Sequence, residues 1–147
     1  MSVAVAVATD GVRLPLPRKR VVDAVRAVLR AERVRDAMLS VTFVSTPVIR
    51  RLNRRHLRKA GATDVISFGF RRTTRNAPVV GDVYVAADVA KRSARSNGVT
   101  ARDELTRLVV HGTLHVLGYD HPETDARTHS AMWKTQERIV SRLAARR

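Results

Sequence analysis

Apolar residues recur with two different periods along this chain, and the changes of period divide it into elements. Residues 3–8, VAVAVA, are short and valine-rich and close at Asp10-Gly11, which predicts a strand and a turn. Residues 17–31 switch to helical spacing, with Val21, Val25, Val28 and Leu29 on one face. LSVTFV at 39–44 reads as a second strand, after which Thr46-Pro47 supplies an N-cap and a proline at the first helical position. The helix opened there is expected to run to Gly61, carrying Ile49, Leu52 and His56 inward and Arg50, Arg51, Arg54, Arg55 and Arg58 on its other face. DVISFGF at 64–70 predicts a third strand, RRTTRNAP at 71–78 a basic, turn-rich loop, and VVGDVYV at 79–85 a fourth strand. Gly81 inside that strand points to a bulge or a close approach. A helix over 87–96 stops at Asn97-Gly98. Thr100 and Asp103 resemble a capping box that opens a helix over 101–117, and Gly118 ends it. A last helix over 124–145 turns Met132, Ile139, Val140 and Leu143 inward.

Strands alternating with helices, then helices alone, predict an α/β (α+β layered) domain: a small mixed four-stranded sheet with about five helices. The third and fourth strands are joined by a short loop, so they should be antiparallel neighbours. At 147 residues, with no repeat or linker, the chain is expected to form a single domain over 1–147.

Charge narrows the partner. Lys and Arg number 28 against 13 Asp and Glu, a formal charge of +15, and most of the excess is arginine. The guanidinium fork matches phosphate geometry, so a polyanion is the favoured partner, although an arginine-rich solvated surface gives the same count. Aromatic residues are only 4% of the chain, which points to contact with a nucleic-acid backbone rather than base stacking. The chain has no cysteine, which excludes disulfides and thiolate metal sites and fits a reducing, cytoplasmic setting. The apolar run at 3–8 is too short to cross a bilayer, so no membrane partner is expected.

The chemistry concentrates in HGTLHVLGYDH, 111–121, which holds three of the five histidines. His111 and His115 lie four apart and share a helix face, one turn above the other. Gly118 breaks the helix, so the chain can reverse and swing His121 back toward the pair. Three imidazoles can hold one zinc ion at roughly 2.0–2.1 Å and leave a position open, the pattern of catalytic sites. Water at that position loses its proton near pH ~7. The spacing of histidine, +4, glycine +7 and histidine +10 is also that of the metzincin proteases, in which a glutamate follows the first histidine. Here that residue is Gly112. Peptide hydrolysis lacks its usual proton acceptor without it, whereas a phosphodiester needs a metal and a basic surface. Asp120 is either a hydrogen-bond partner of a ligand imidazole or a turn residue. Tyr119 and Trp133 read as packing, Asp82 as a structural hydrogen-bond partner, and His56 and His129 as packing or surface residues. The arginine stripe 50, 51, 54, 55, 58 is either the wet face of a helix or a track for an RNA backbone, which Arg71, Arg72, Arg75, Lys91, Arg92 and Arg95 could extend.

His111-Gly-Thr-Leu-His-Val-Leu-Gly-Tyr-Asp-His121 closely resembles the H-G-x-L-H-x-x-G-Y-D-H signature of the YbeY family, bacterial metal-dependent endoribonucleases. Thr63-Asp-Val-Ile-Ser-Phe68 resembles that family's T-[DN]-V-L-S-F strand, Gly81-Asp-Val its L-G-D-[IV] strand, and Leu52-Asn53 its L-N pair. The resemblance covers about 43–123. It implies His111, His115 and His121 as metal ligands, with His115 also counted catalytic, and one Zn2+ per chain. It further implies single-stranded RNA as substrate, maturation of the small-subunit rRNA 3′ end and ribosome quality control as setting, and the small ribosomal subunit and assembly factors as partners. Counted back without gaps, the family's functional arginine falls at Leu57; either Arg58 beside it substitutes after a small shift, or activity is weaker or organised differently here. Two other functions fit the same residues. One is a metallopeptidase related to the metzincins that takes its base from Glu104 or Glu123. The other is a non-catalytic ribosome-assembly RNA-binding protein stabilised by its metal.

Overall fold

The structure, a computed structural model, describes residues 2–57, 63–120 and 130–146. Strand β1 (Val3–Asp10) leads into helix α1 (Arg18–Ala31), then strand β2 (Ala37–Val44) into helix α2 (Thr46–Leu52). A π-helical turn, Asn53–Leu57, follows directly. Strands β3 (Val65–Gly69) and β4 (Val79–Ala86) precede helices α3 (Ala87–Asn97), α4 (Ala101–Val116) and α5 (Ala131–Ala145). The sheet order is β1-β2-β4-β3, with β1, β2 and β4 parallel and β3 antiparallel to β4. The mixed four-stranded sheet, the five α-helices among the described residues and the antiparallel third pair are as the sequence predicts.

Alternation along the strands separates two faces. Leu39, Val41 and Phe43 of β2 and Val83 and Val85 of β4 are buried in one large core with Val21, Val25 and Val28 of α1, Leu105, Val109 and Leu114 of α4, and Met132 and Ile139 of α5. Each fully buried side chain of this kind contributes roughly 1.5–3 kcal/mol. Helix α2 covers part of the opposite face, where Ile49 packs with Val44, Ile66 and Ala86 in a smaller cluster. Because successive strand residues point to opposite sides, α2 and α4 lie on opposite faces of the sheet.

Helix α4 is the hub. It packs on α1, α3, α5 and both β3 and β4, and its buried residues accordingly spread around most of its circumference. The Thr100 side chain accepts the Asp103 N–H at 3.0 Å, so the predicted cap is present with Asp103 serving as its backbone donor. Two buried threonines inside α4 satisfy their hydroxyls on the preceding turn, Thr106 Oγ1 on Arg102 O at 2.9 Å and Thr113 Oγ1 on Val109 O at 2.8 Å.

Two boundary expectations need correction. The N-cap of α2 is Ser45, not Thr46, and Pro47 stands one residue further into the helix. The helix expected to reach Gly61 ends at Leu52 and passes into the π turn. A π turn bonds i to i+5 and so uses an extra residue per turn. His56, expected inward, is rotated off the apolar stripe as a result and is exposed, with its ring edge-on to Phe68, while Asn53, four residues beyond Ile49, stays on the buried face. Residues 58–62, including Arg58, lie outside the described residues, as do 121–129, where the start of the last helix was expected. The described part of that helix begins at Ala131, with Ser130 Oγ accepting the Trp133 N–H at 3.1 Å.

Candidate metal centre

Helix α4 reaches the sheet at two glycine contacts, and these set which of its faces is left for chemistry. A Cβ on Gly112 would stand 2.5 Å from Val83 Cγ1, 3.1 Å from Ser67 Oγ and 3.2 Å from Val65 Cγ2. Ser67 Oγ donates to the Gly112 carbonyl at 2.9 Å, which ties the TDVISF strand to the histidine helix. One turn on, Val116 seats over Gly69 and Gly81, which are paired across β3 and β4. The Gly81 anomaly in the fourth strand is thus a close approach, not a bulge. Helical geometry then turns residues 111 and 115 off the sheet, about 100° and about 60° from Gly112 on the same side.

His111 and His115 converge. Their Nε2 atoms are 3.1 Å apart and their rings meet edge to face at 79°. The opposite nitrogens are held by acceptors. His115 Nδ1 lies 2.8 Å from the Tyr119 carbonyl, which can only accept, so Nδ1 carries the hydrogen. His111 Nδ1 lies 2.6 Å from Gln136 Oε1. Each ring, neutral, therefore presents its Nε2 lone pair to the other. The Tyr119 carbonyl reaches His115 because the chain turns at Gly118, whose φ of 102° is open to glycine and strained for other residues.

This arrangement passes the test a metal site must meet. Two lone pairs aimed at each other repel unless a cation joins them. A tetrahedral ion with bonds of 2.0–2.1 Å spaces its ligand nitrogens by roughly 3.3 Å, close to the spacing seen here. Both outer nitrogens already have the hydrogen-bond partners that fix ligating histidines. Among the described residues no group of three or more His, Cys, Asp or Glu side chains is placed to hold a metal. The third expected ligand, His121, lies outside the described residues.

Asp120 does not orient His115: its Oδ1 is 4.0 Å from Nδ1, beyond hydrogen-bond reach, and the side chain is fully exposed. The backbone of Tyr119 fills that role. The Tyr119 hydroxyl donates to Glu32 Oε1 at 2.6 Å, tying the turn after α4 to the end of α1. That hydrogen bond, with burial second, raises the phenol above its usual range. Asp82 accepts from Ser40 Oγ at 2.6 Å, the structural role expected. Trp133 does not fill the core. It is half-buried and lines a cavity of about 350 Å³ with His111, Gln136, Arg107 and Asn97.

Sequence reasoning missed the residues behind His111. Arg107 grips Glu137 through two hydrogen bonds, Nε to Oε2 at 3.0 Å and Nη2 to Oε1 at 3.1 Å. Gln136 Nε2 donates to Glu137 Oε2 at 2.9 Å. Burial works to raise the Glu137 carboxyl, but the hydrogen bonds from Arg107 and Gln136 and the Arg107 charge outweigh it and hold the group below its usual range. The one available signal was Gln136 itself, a polar residue on the apolar stripe of α5 between Met132 and Ile139.

The described part of the arginine stripe starts on α2, which lies across the sheet from α4. Arg50, Arg51, Arg54 and Arg55 are exposed on the α2 side of the sheet, and the last three line a groove with Asp10 and Val48. The basic loop with Arg71, Arg72 and Arg75 is better placed. It leaves β3 at Gly69, the residue on which Val116 rests, and all three arginines are exposed.

Fold and site together define a layered α/β domain whose central helix offers two convergent imidazoles with fixed tautomers. The family described as Endoribonuclease YbeY matches residues 10–144. The chain is 30% identical over 142 residues to Endoribonuclease YbeY of Syntrophus aciditrophicus, covering 95% of this chain and 89% of that protein. It is 34% identical over 139 residues to Endoribonuclease YbeY of Geobacter metallireducens, covering 92% of each. The solution structure of TM1509 from Thermotoga maritima matches with a TM-score of 0.61 at 23% identity, over 97% of this chain and 90% of that one, and shows the same fold. The chain belongs to the Endoribonuclease YbeY family.

Proposed function

We propose that this protein is a zinc-dependent endoribonuclease that cuts single-stranded RNA, formed by residues 1–147 as one catalytic domain. The observation that carries the reading is the pair of Nε2 atoms 3.1 Å apart with both outer nitrogens held by acceptors. His111, His115 and His121 are the ligands in this reading, one zinc ion per chain. When bound, the ion supplies Lewis acidity at a phosphoryl oxygen.

The chain's own residues do the rest. Gln136 and the Tyr119 carbonyl keep the two imidazoles oriented. Arg71, Arg72 and Arg75 hold the RNA backbone near the histidine end of the sheet, and Arg50, Arg51, Arg54 and Arg55 engage it further off, with charge rather than base readout. Arg58, next to Leu57, takes the part of the family's arginine. The family and the excess of basic residues support maturation of small-subunit rRNA in the cytoplasm, with the ribosomal small subunit and its assembly factors as partners. None of the described helices is long and apolar enough to cross a membrane.

A peptidase that draws its base from the described residues lacks support in this geometry; Glu123, the other candidate base, lies outside them. The position its glutamate would occupy faces Val83 and Val65, where even a Cβ does not fit. Glu104 is nine-tenths buried and already accepts from Ser93 Oγ at 3.2 Å.

The test is cleavage of an end-labelled single-stranded RNA and of a labelled casein peptide by the purified protein, each with and without chelator. Chelator-sensitive cutting of RNA alone is expected. Cutting of peptide, or RNA cutting that survives complete metal removal, overturns the reading.

A further inference from the structure

We propose that Gln136 is a positioning residue of the histidine pair, locked by Arg107 and Glu137 so that His111 keeps its hydrogen on Nδ1 and turns a lone pair toward His115. The inference rests on the metal reading above for its purpose, but its geometry stands without it.

The order of donors and acceptors admits one solution. Arg107 is only a donor, and it holds both oxygens of Glu137 at 3.0 and 3.1 Å. Glu137, held ionised by that contact, is only an acceptor. The Gln136 atom 2.9 Å from Glu137 Oε2 must therefore be the amide nitrogen. If the amide were flipped, two acceptor oxygens would face each other at that distance. The other end of the amide, 2.6 Å from His111 Nδ1, is then the oxygen, and Nδ1 must donate to it. Gln136 is 1% exposed, so water does not offer an alternative partner. Glu104 Oε1, 3.8 Å from Arg107 Nη1, steadies the far end of the chain of contacts. Four residues from two helices thus convert one charge pair into a choice of imidazole tautomer.

The consequence is preorganisation. A histidine free to choose its tautomer spends part of its time with a hydrogen on the ligating nitrogen. Here the helices α4 and α5 remove that choice before any ion arrives. Loss of such a supporting hydrogen bond lowers metal affinity by about 10–100-fold.

The experiment uses the full chain, metal-free, with nitrogen-15 in its histidines, and reads tautomers by long-range proton–nitrogen correlation at a pH where the rings are neutral. In the parent protein His111 is expected to be the Nδ1–H form. Gln136→Met, similar in volume with no acceptor oxygen, should shift His111 toward the Nε2–H form. Zinc affinity by competition with a chromophoric chelator should fall 10–100-fold in the methionine variant. An Nε2–H form at His111 in the parent, or an unchanged tautomer in Gln136→Met, overturns the proposal. The parent's own tautomer keeps the test decisive if a variant fails to fold. A parent that shows the Nδ1–H form, shifts as predicted in Gln136→Met, yet binds no zinc sinks the metal reading and leaves the positioning role standing.

Discussion

Replacing Gly112 with alanine should destabilise this protein, although helix propensity alone predicts the opposite. In an exposed helix interior the change gains about 1 kcal/mol. Here the new Cβ would lie 2.5 Å from Val83 Cγ1, and Val83 is a β-branched residue 1% exposed in the middle of the sheet. It cannot swing aside, so α4 must lift. Overpacking of this kind costs about 1–3 kcal/mol. Lifting also stretches the 2.9 Å bond from Ser67 to the Gly112 carbonyl, a further ~1 kcal/mol. The net is a loss of about 1–3 kcal/mol. At roughly 2–4 °C per kcal/mol for a chain of this size, Tm should fall by roughly 2–12 °C. Urea melts of the parent, Gly112→Ala, Val83→Ala and the double variant separate the causes. Val83→Ala opens room for the new methyl, so the alanine at 112 should cost much less in that background. A rise in stability for Gly112→Ala in the parent background, or strict additivity in the cycle, would refute the account of why glycine stands where a metzincin carries its base.

Other outcomes follow from the same contacts. Both tyrosines should ionise above the ordinary pH of 10, Tyr84 through burial and the nearby Asp82 charge, and Tyr119 through its bond to Glu32. A spectrophotometric titration showing either phenol released below that value contradicts the geometry. A raised folded pKa means the Tyr119 contact stabilises fully below the unfolded phenol's pKa and is lost as pH rises through the folded one, so Tyr119→Phe should narrow the stability gap to the parent in strong alkali. Glu137 has the opposite sign. Its folded pKa is depressed, so its contribution is present above the ordinary carboxylate range and disappears as pH falls through the folded value; thermal melts of Glu137→Gln and parent should converge in acid. Neutralising Arg71, Arg72 and Arg75 together should weaken binding of single-stranded RNA and flatten its dependence on salt, read by fluorescence anisotropy, with little change in Tm.

Much of the fold was legible because its elements obey their periods. The valines of α1 recur at helical spacing and are buried, and the short loop after Gly69 did mark an antiparallel pair. The sequence misled where one turn departs from the standard helix. The π turn at Asn53–Leu57 shifts the helical phase after Leu52, so His56, seven residues beyond buried Ile49, faces out. A period of 3.6 residues cannot anticipate that. The pairing of His111 with His115 was readable because four residues make one helical turn. Gln136 was not, because its contact with His111 joins two helices across 25 residues and no local spacing encodes it. Strand alternation puts α2 across the sheet from α4, a fact of topology rather than of helical periodicity.

The claim that His111, His115 and His121 gather one ion is tested most directly by zinc binding to metal-free protein, compared among the parent and the three single histidine-to-alanine variants. The account predicts one tight equivalent in the parent and loss of tight binding in each variant while circular dichroism shows the fold intact. Parent-like zinc affinity in His115→Ala, or no tight site in the parent, would contradict it.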